Sequence, residues 1–268
     1  MPLVYTTTEG PDSNFVELST PSQNIERPLL QDLARLVAEL PQPSGLLLRT
    51  TILTSGTSAV FGHVAGATTC RVRGVGGGAA GGGSAAAAYT GGGCGAGGTY
   101  GERTFAIVQP TSLYTVGAGG LGVANADGGA GAASQWTHDG VTTSCPGGSN
   151  STSRIAAGPG TADTGVGGSP GASATNADIS IQGGRGGTLV RDALDPPQIR
   201  MFLGGGGDSQ LGKGGITTQA PPGSTNSIAE RAGTGFGAGG SGRCNGSDTT
   251  AVAGANGSDG VWIVEEYS

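Results

Sequence analysis

Two histidines, four cysteines and two glycine runs leading to an acid are the places where this sequence could do chemistry. Gly76-x-Gly78-x-x-Gly81 has the spacing of a dinucleotide fingerprint, follows a strand-like run, and has Glu102 about 20 residues on. A pyrophosphate cradle also needs a helix opening after the last glycine, and Gly82-Gly83-Ser84 is poor helix material with no βαβ rhythm behind it. Gly204-Gly205-Gly206-Gly207-Asp208 hints at a calcium-binding nonapeptide, but its aspartate comes one position early and no nine-residue period follows. Asp127, Asp163 and Asp259 read as turn residues beside glycine. A nucleophile relay needs a base, an orienting acid and a pocket. Neither His63, in an apolar strand, nor His138, in a polar loop, shows a partner nearby in sequence beyond its neighbour Asp139. Cys70, Cys94, Cys145 and Cys244 lack the paired spacing of a zinc or thiol-exchange site and read as isolated buried thiols. No catalytic group, metal or cofactor is expected.

The elements that would position any site are unusual. Glycine supplies 57 of 268 residues, about 21% and roughly three times ordinary usage. Five glycines precede Gly74; the other 52 fall among the 187 residues from Gly74 to Gly260, about 28% of that stretch. With 4% aromatic and 12% charged residues, neither a dense aromatic core nor a solvated charged tail fits. Thirteen basic against 19 acidic residues argue against nucleic acid as partner, since phosphate binding needs a basic footprint. The start, Met1 to Leu18, lacks a basic, apolar signal, and no run approaches the 18 apolar residues of a membrane span, so synthesis in the cytosol without membrane insertion is expected. Asn150-Ser151-Thr152, Asn245-Gly246-Ser247 and Asn256-Gly257-Ser258 fit the glycosylation pattern, which has no meaning without secretion.

Glycine loses more freedom on folding than any other residue, so a glycine-rich tract is disordered by default. Two features oppose that here. The tracts are interrupted by strand-like apolar pieces, ending in Val261-Trp262-Ile263-Val264, and they hold adjacent glycines such as Gly76 to Gly78, Gly81 to Gly83, Gly91 to Gly93 and Gly204 to Gly207. Adjacent glycines suit lateral packing of extended three-residue-per-turn helices, which have no internal hydrogen bonds and must bond to one another.

Residues 1–43 form a leader with six acids and two arginines. Within it Leu29, Leu33, Leu36 and Leu40 recur at spacings of 4, 3 and 4, which predicts a short helix over about 28–40, with Pro28 at its first turn and Pro41 and Pro43 ending it. The stripe is either the apolar face of a surface helix or a self-association seam. Strands are predicted at 46–54, 59–64, 69–75, 104–109, 113–116, 179–182, 198–203 and 261–267. The expected fold is mainly β, a β-sandwich or jelly-roll-like base from which glycine-rich excursions leave and return, in a domain spanning 44–268.

Three runs resemble a known family. Thr68-Thr69-Cys70-Arg71-Val72-Arg73-Gly74-Val75-Gly76-Gly77-Gly78, then Tyr114-Thr115-Val116-Gly117-Ala118-Gly119-Gly120, and the closing Gly257-Ser258-Asp259-Gly260-Val261-Trp262-Ile263-Val264-Glu265-Glu266-Tyr267 resemble the glycine-rich domain of bacteriophage tail-fibre proteins over about residues 66–268. The resemblance implies a virion fibre or adhesin with polyglycine II helices, a homotrimer, an attachment of the leader to other virion proteins, and a host surface glycan or outer-membrane protein as receptor. A purely structural virion component, such as a head fibre, decoration or tail adaptor protein, is the alternative. A large side chain cannot sit inside a glycine lattice, so Tyr89, Tyr100, Trp136, His138 and Phe236 must point outward, cap the lattice or plug its base. Tyr89, Tyr100, Trp136, His138 and Asp139 are nominated as receptor contacts at rigid turns.

Overall fold

The structure is a computed structural model that describes residues 45–87, 90–151, 163–193, 199–216, 229–245 and 250–268. The predicted helix over 28–40, with Leu29, Leu33, Leu36 and Leu40, lies outside these residues, as does Tyr89. Among the described residues every regular element is a strand.

Strand propensity and alternation explain the largest sheet. In β3 (Thr69–Val75) Cys70 and Val72 turn inward while Arg71 and Arg73 face out, as a period of two requires. β3 lies between β14 (Val261–Tyr267) and β4 (Tyr100–Ala106), and β1 (Leu47–Leu53) and β9 (Ile179–Ile181) close the edges, giving the order β1-β14-β3-β4-β9 with every pair antiparallel. A second antiparallel sheet has the order β2-β5-β6-β7, built from β2 (Ala59–Gly62), β5 (Thr111–Thr115), β6 (Ser134–His138) and β7 (Val141–Cys145). Cys70, Val72, Trp262 and Val264 of the first sheet pack in one cluster with Phe61, Trp136 and Cys145 of the second. A sandwich base is compatible with that packing. Gly74 makes room for it, because a Cβ there would overlap the ring of Trp262. Three smaller strands, β8 (Asp163–Gly165), β10 (Leu189–Ala193) and β11 (Ile199–Leu203), form a sheet in the order β11-β10-β8, and β12 (Gly212–Lys213) pairs with β13 (Thr234–Gly235).

Beyond one end of the strands the packing unit changes. β3 runs on into 76–84, and 91–99 runs into β4; β5 is followed by 117–123, 126–133 leads to β6, β7 continues into 146–151, and 252–260 leads to β14. In these segments the hydrogen bonds are counted by threes. The amides of Gly76, Ala79 and Gly82 donate to the carbonyls of Thr99, Ala96 and Gly93; those of Gly77, Ala80 and Gly83 to Ala132, Gly129 and Ala126; those of Gly78, Gly81 and Ser84 to Ser258, Ala255 and Val252. Each set steps by three up one segment and by three down another, at 2.8–3.1 Å. The donors therefore rotate through three antiparallel neighbours with a three-residue period. Meanwhile the carbonyls of Gly77, Gly78 and Ala79 accept from Gly148, Gly120 and Gly240, which lie on three further segments. Segment 76–84 is thus bonded on six sides.

Segment 91–99 repeats the arrangement. Gly92, Gly95 and Gly98 donate to Arg243, Gly240 and Gly237; Cys94 and Gly97 donate to Gly187 and Gly184; Thr99 donates to Pro146. Its carbonyls accept from 76–82, from Gly168 at Cys94 and from Gly207 at Gly95. All nine amides of 76–84 are satisfied by backbone carbonyls, as burial demands. On the outside the same period shows in burial: in 183–188, read Gly-Gly-Arg-Gly-Gly-Thr, Gly183 and Gly186 are buried while Arg185 and Thr188 are exposed. Small side chains also enter the interior. Ala79, Ala80, Ala96 and Ala238 are fully buried there, and the Cys94 thiol donates to the Gly204 carbonyl at 2.6 Å. The four cysteines are buried thiols, and burial pushes Cys94 up to about 11 and the other three up to about 12.

Candidate functional site

The nominated contact residues do not gather at a tip. Tyr100 opens β4, is 8% exposed, and its hydroxyl donates to the Glu102 carboxylate at 2.9 Å. Burial first, then that hydrogen bond, push its phenol up to about 12. Trp136 is fully buried in the middle of β6, with ring centroids 5.2 Å from Phe61, 5.8 Å from Trp262 and 6.0 Å from Tyr114. His138, at the end of β6, is 4% exposed. Asp139 is exposed, in the turn after it, and accepts from the Gln109 side-chain amide at 3.1 Å.

These positions correct the expectation of an exposed excursion. Residues 134–145 form a tight hairpin within the base, since Asp139 and Gly140 both hold positive φ, at 49° and 72°, as a two-residue β-turn of that type needs. Alternation then carries Trp136 and His138 inward. The sequence held the signal: an Asp-Gly pair flanked by two runs of alternating residues.

The two histidines, which sequence left without partners, sit in one buried polar chain. His63 Nδ1 lies 3.0 Å from Glu266 Oε1 and its Nε2 lies 2.8 Å from Ser112 Oγ; Ser112 Oγ lies 2.9 Å from His138 Nδ1. Glu266 is held further by Arg49 Nε at 2.5 Å and by the Val64 amide at 3.1 Å. The partners come from β14, β1, β5 and the end of β2, up to 217 residues apart in sequence, which is why spacing could not reveal them. Ser112, His63 and Glu266 stand in the order of a nucleophile relay, but Ser112 is 3% exposed, and a hydroxyl so enclosed offers an acyl group no approach. What these bonds do is tie the two sheets together.

The glycine patterns have structural uses. Gly76, Gly78 and Gly81 spend their amides on Thr99, Ser258 and Ala255, so no free N–H remains at those positions to cradle a phosphate. Asp208 accepts from the Gly214 amide at 2.8 Å and from Lys213 Nζ at 2.9 Å, and the backbone bond, with the lysine, holds its carboxyl below the usual range. It closes a turn. Among the described residues no group of His, Cys, Asp and Glu is placed to hold a metal ion.

A β base and a body of glycine segments bonded to one another define the class, a glycine-rich domain. Residues 53–267 match the glycine-rich domain family, and the chain belongs to that family. No curated protein matches the chain.

Proposed function

We propose that the chain is a bacteriophage virion fibre protein, a tail fibre or adhesin, whose glycine segments are polyglycine II helices packed into a stiff body that carries host contact away from its β base. The observation that supports this reading most is the three-residue rotation of donors along 76–84, since three residues per turn is the period of that helix. A helix bonded on six sides has no soft direction, which suits a part that must hold a contact surface at a distance. Leu29, Leu33, Leu36 and Leu40 remain the proposed seam of a homotrimer, with the leader docking on other virion proteins. Burial of Tyr100, Trp136 and His138 moves the proposed contact to the far turns, where Asn125 holds a positive φ and Ala86, Ala87 and Thr250 are exposed. The receptor class stays a surface glycan or an outer-membrane protein.

The same burial favours a second reading, a purely structural virion component. Adsorption competition separates the two. Purified full-length chain in excess should block particle adsorption and bind host cells directly if the chain is an adhesin. Incorporation into particles, shown by imaging a labelled copy, without cell binding or competition would leave the structural role.

A further inference from the structure

With both imidazoles neutral, the buried chain through the two histidines admits one arrangement of protons. Glu266 Oε1 already accepts from the Val64 amide, and Arg49 holds the other oxygen, so the carboxylate acts as acceptor and His63 Nδ1 must carry the hydrogen. At the far end the Val108 amide donates to His138 Nε2 at 3.3 Å, so His138 Nδ1 must carry the hydrogen instead. Between them the Ser112 hydroxyl accepts from His138 Nδ1 and donates to His63 Nε2. Both ends demand the same direction. With two neutral imidazoles every position is paired, and the bonds run from the second sheet at His138 and Ser112, through His63, to Glu266 of the first.

We propose that this chain is a proton-sensitive latch between the two sheets, closed while His138 is neutral and opened when His138 takes up a proton. An added proton can go only to Nε2, where it meets the Val108 N–H, a donor facing a donor in a site 4% exposed. The charged groups around the latch do not relieve this. Arg103 of β4, whose guanidinium lies 5.4 Å from the Phe105 ring stacked on His138, opposes a positive charge there, and a proton on His63, 5.2 Å away between centroids, would oppose it more. Asp139 in the adjoining turn and the Thr111 carbonyl favour the proton; Asp139 outweighs Arg103 but not the burial of the ring. Glu266 of β14, with Arg49 of β1 and the Cys70 thiol of β3 beside it, lies on the far side of His63. Burial and His63 together hold His138 below the ordinary imidazole range. A native state that refuses a proton the unfolded chain accepts near pH 6.5 loses stability as pH falls below that value.

The test uses the full chain. Both tryptophans lie in the sandwich core, so their fluorescence in urea reports the base. Between pH 7.5 and 5.5 the folded-to-unfolded ratio should fall further in the wild type than in His138→Gln, whose amide can pair with Val108 and Ser112 but cannot titrate. An equal pH response in both proteins overturns the latch. Should His138→Gln not fold, imidazole nitrogen shifts of the wild type decide: His138 is expected as the Nδ1–H tautomer and neutral at pH 6. An Nε2–H tautomer, or titration near 6.5 in an unchanged fold, overturns it equally.

Discussion

The two-sheet base and the glycine body are held by opposite means. In the base, side chains fill the space and the backbone pairs within sheets; Trp136, Trp262 and Phe61 bury large apolar surfaces, the usual source of stability. In the glycine body there is almost no side chain to bury, and neighbouring backbones approach until carbonyl oxygens occupy the space a Cβ would take. Each interior amide bond adds only about 1 kcal/mol net, so cohesion rests on all of them being made at once. One region should therefore yield to the loss of atoms and the other to their addition.

The largest effect is expected from adding atoms to the glycine body. A Cβ at Gly77 would overlap the Ala118 carbonyl, and one at Gly98 the Gly76 carbonyl, both backbone and unable to swing aside. Gly77→Val or Gly98→Val should cost about 3 kcal/mol or more, read as loss of hydrogen-exchange protection in 76–99. Protection unchanged in the variants would break the comparison. Removing atoms from the base comes next: Trp136→Ala should cost about 3–5 kcal/mol, measured by urea unfolding followed through Trp262. Protection in 76–84 should survive conditions that open the base of that variant.

Acid should divide the regions a third way. The base carries His138, depressed, and responds below about pH 6.5. In the glycine body Asp208 is also depressed, and the sign is the same but the window lies lower: its contribution is present above the ordinary carboxylate range and is lost only as pH falls below it. A pH titration followed by tryptophan fluorescence and by amide exchange near Gly214 should show the base loosening first. Simultaneous loss would mean that the two regions unfold as one.

What the sequence made legible follows this division. The alternation of Cys70, Arg71, Val72 and Arg73 placed β3, and the closing apolar run placed β14, because strand faces are written two residues at a time. Local composition places Tyr100 to Glu102 in a glycine tract, but they start β4, since pairing with Val75, Gly74 and Arg73 overrides it. The size of Trp136 and His138 suggests outward contacts at a turn, but the Asp139-Gly140 hairpin turn sets an alternation that carries both inward. Glu266, Ser112 and His63 were invisible as a group: their meeting is made by sheet order. That glycine tracts must bond to one another was legible; which segment bonds to which was not, since glycine carries no side chain to mark its neighbour.

The smallest expected effect sharpens the comparison most. Sequence alone makes Gly205, inside a run of four glycines, as intolerant as Gly77. The structure separates them. Gly205 is exposed, and a Cβ there would meet only the Gly215 carbonyl at 3.3 Å, a contact relieved by a shift of a few tenths of an ångström. Its own carbonyl accepts from the Gly187 amide, a bond that a side chain pointing outward leaves intact. Gly205→Ala should change stability by less than about 1 kcal/mol, while Gly206→Ala, whose Cβ would overlap the Gly239 carbonyl, should cost more than that, both read from hydrogen-exchange protection of the Gly187 and Gly239 amides. Adjacent glycines with unlike tolerance are what a three-residue turn produces at the surface of such a body, where successive positions face inward, sideways and out. Equal loss at both positions would mean that composition alone, and not the three-residue rotation, governs this region.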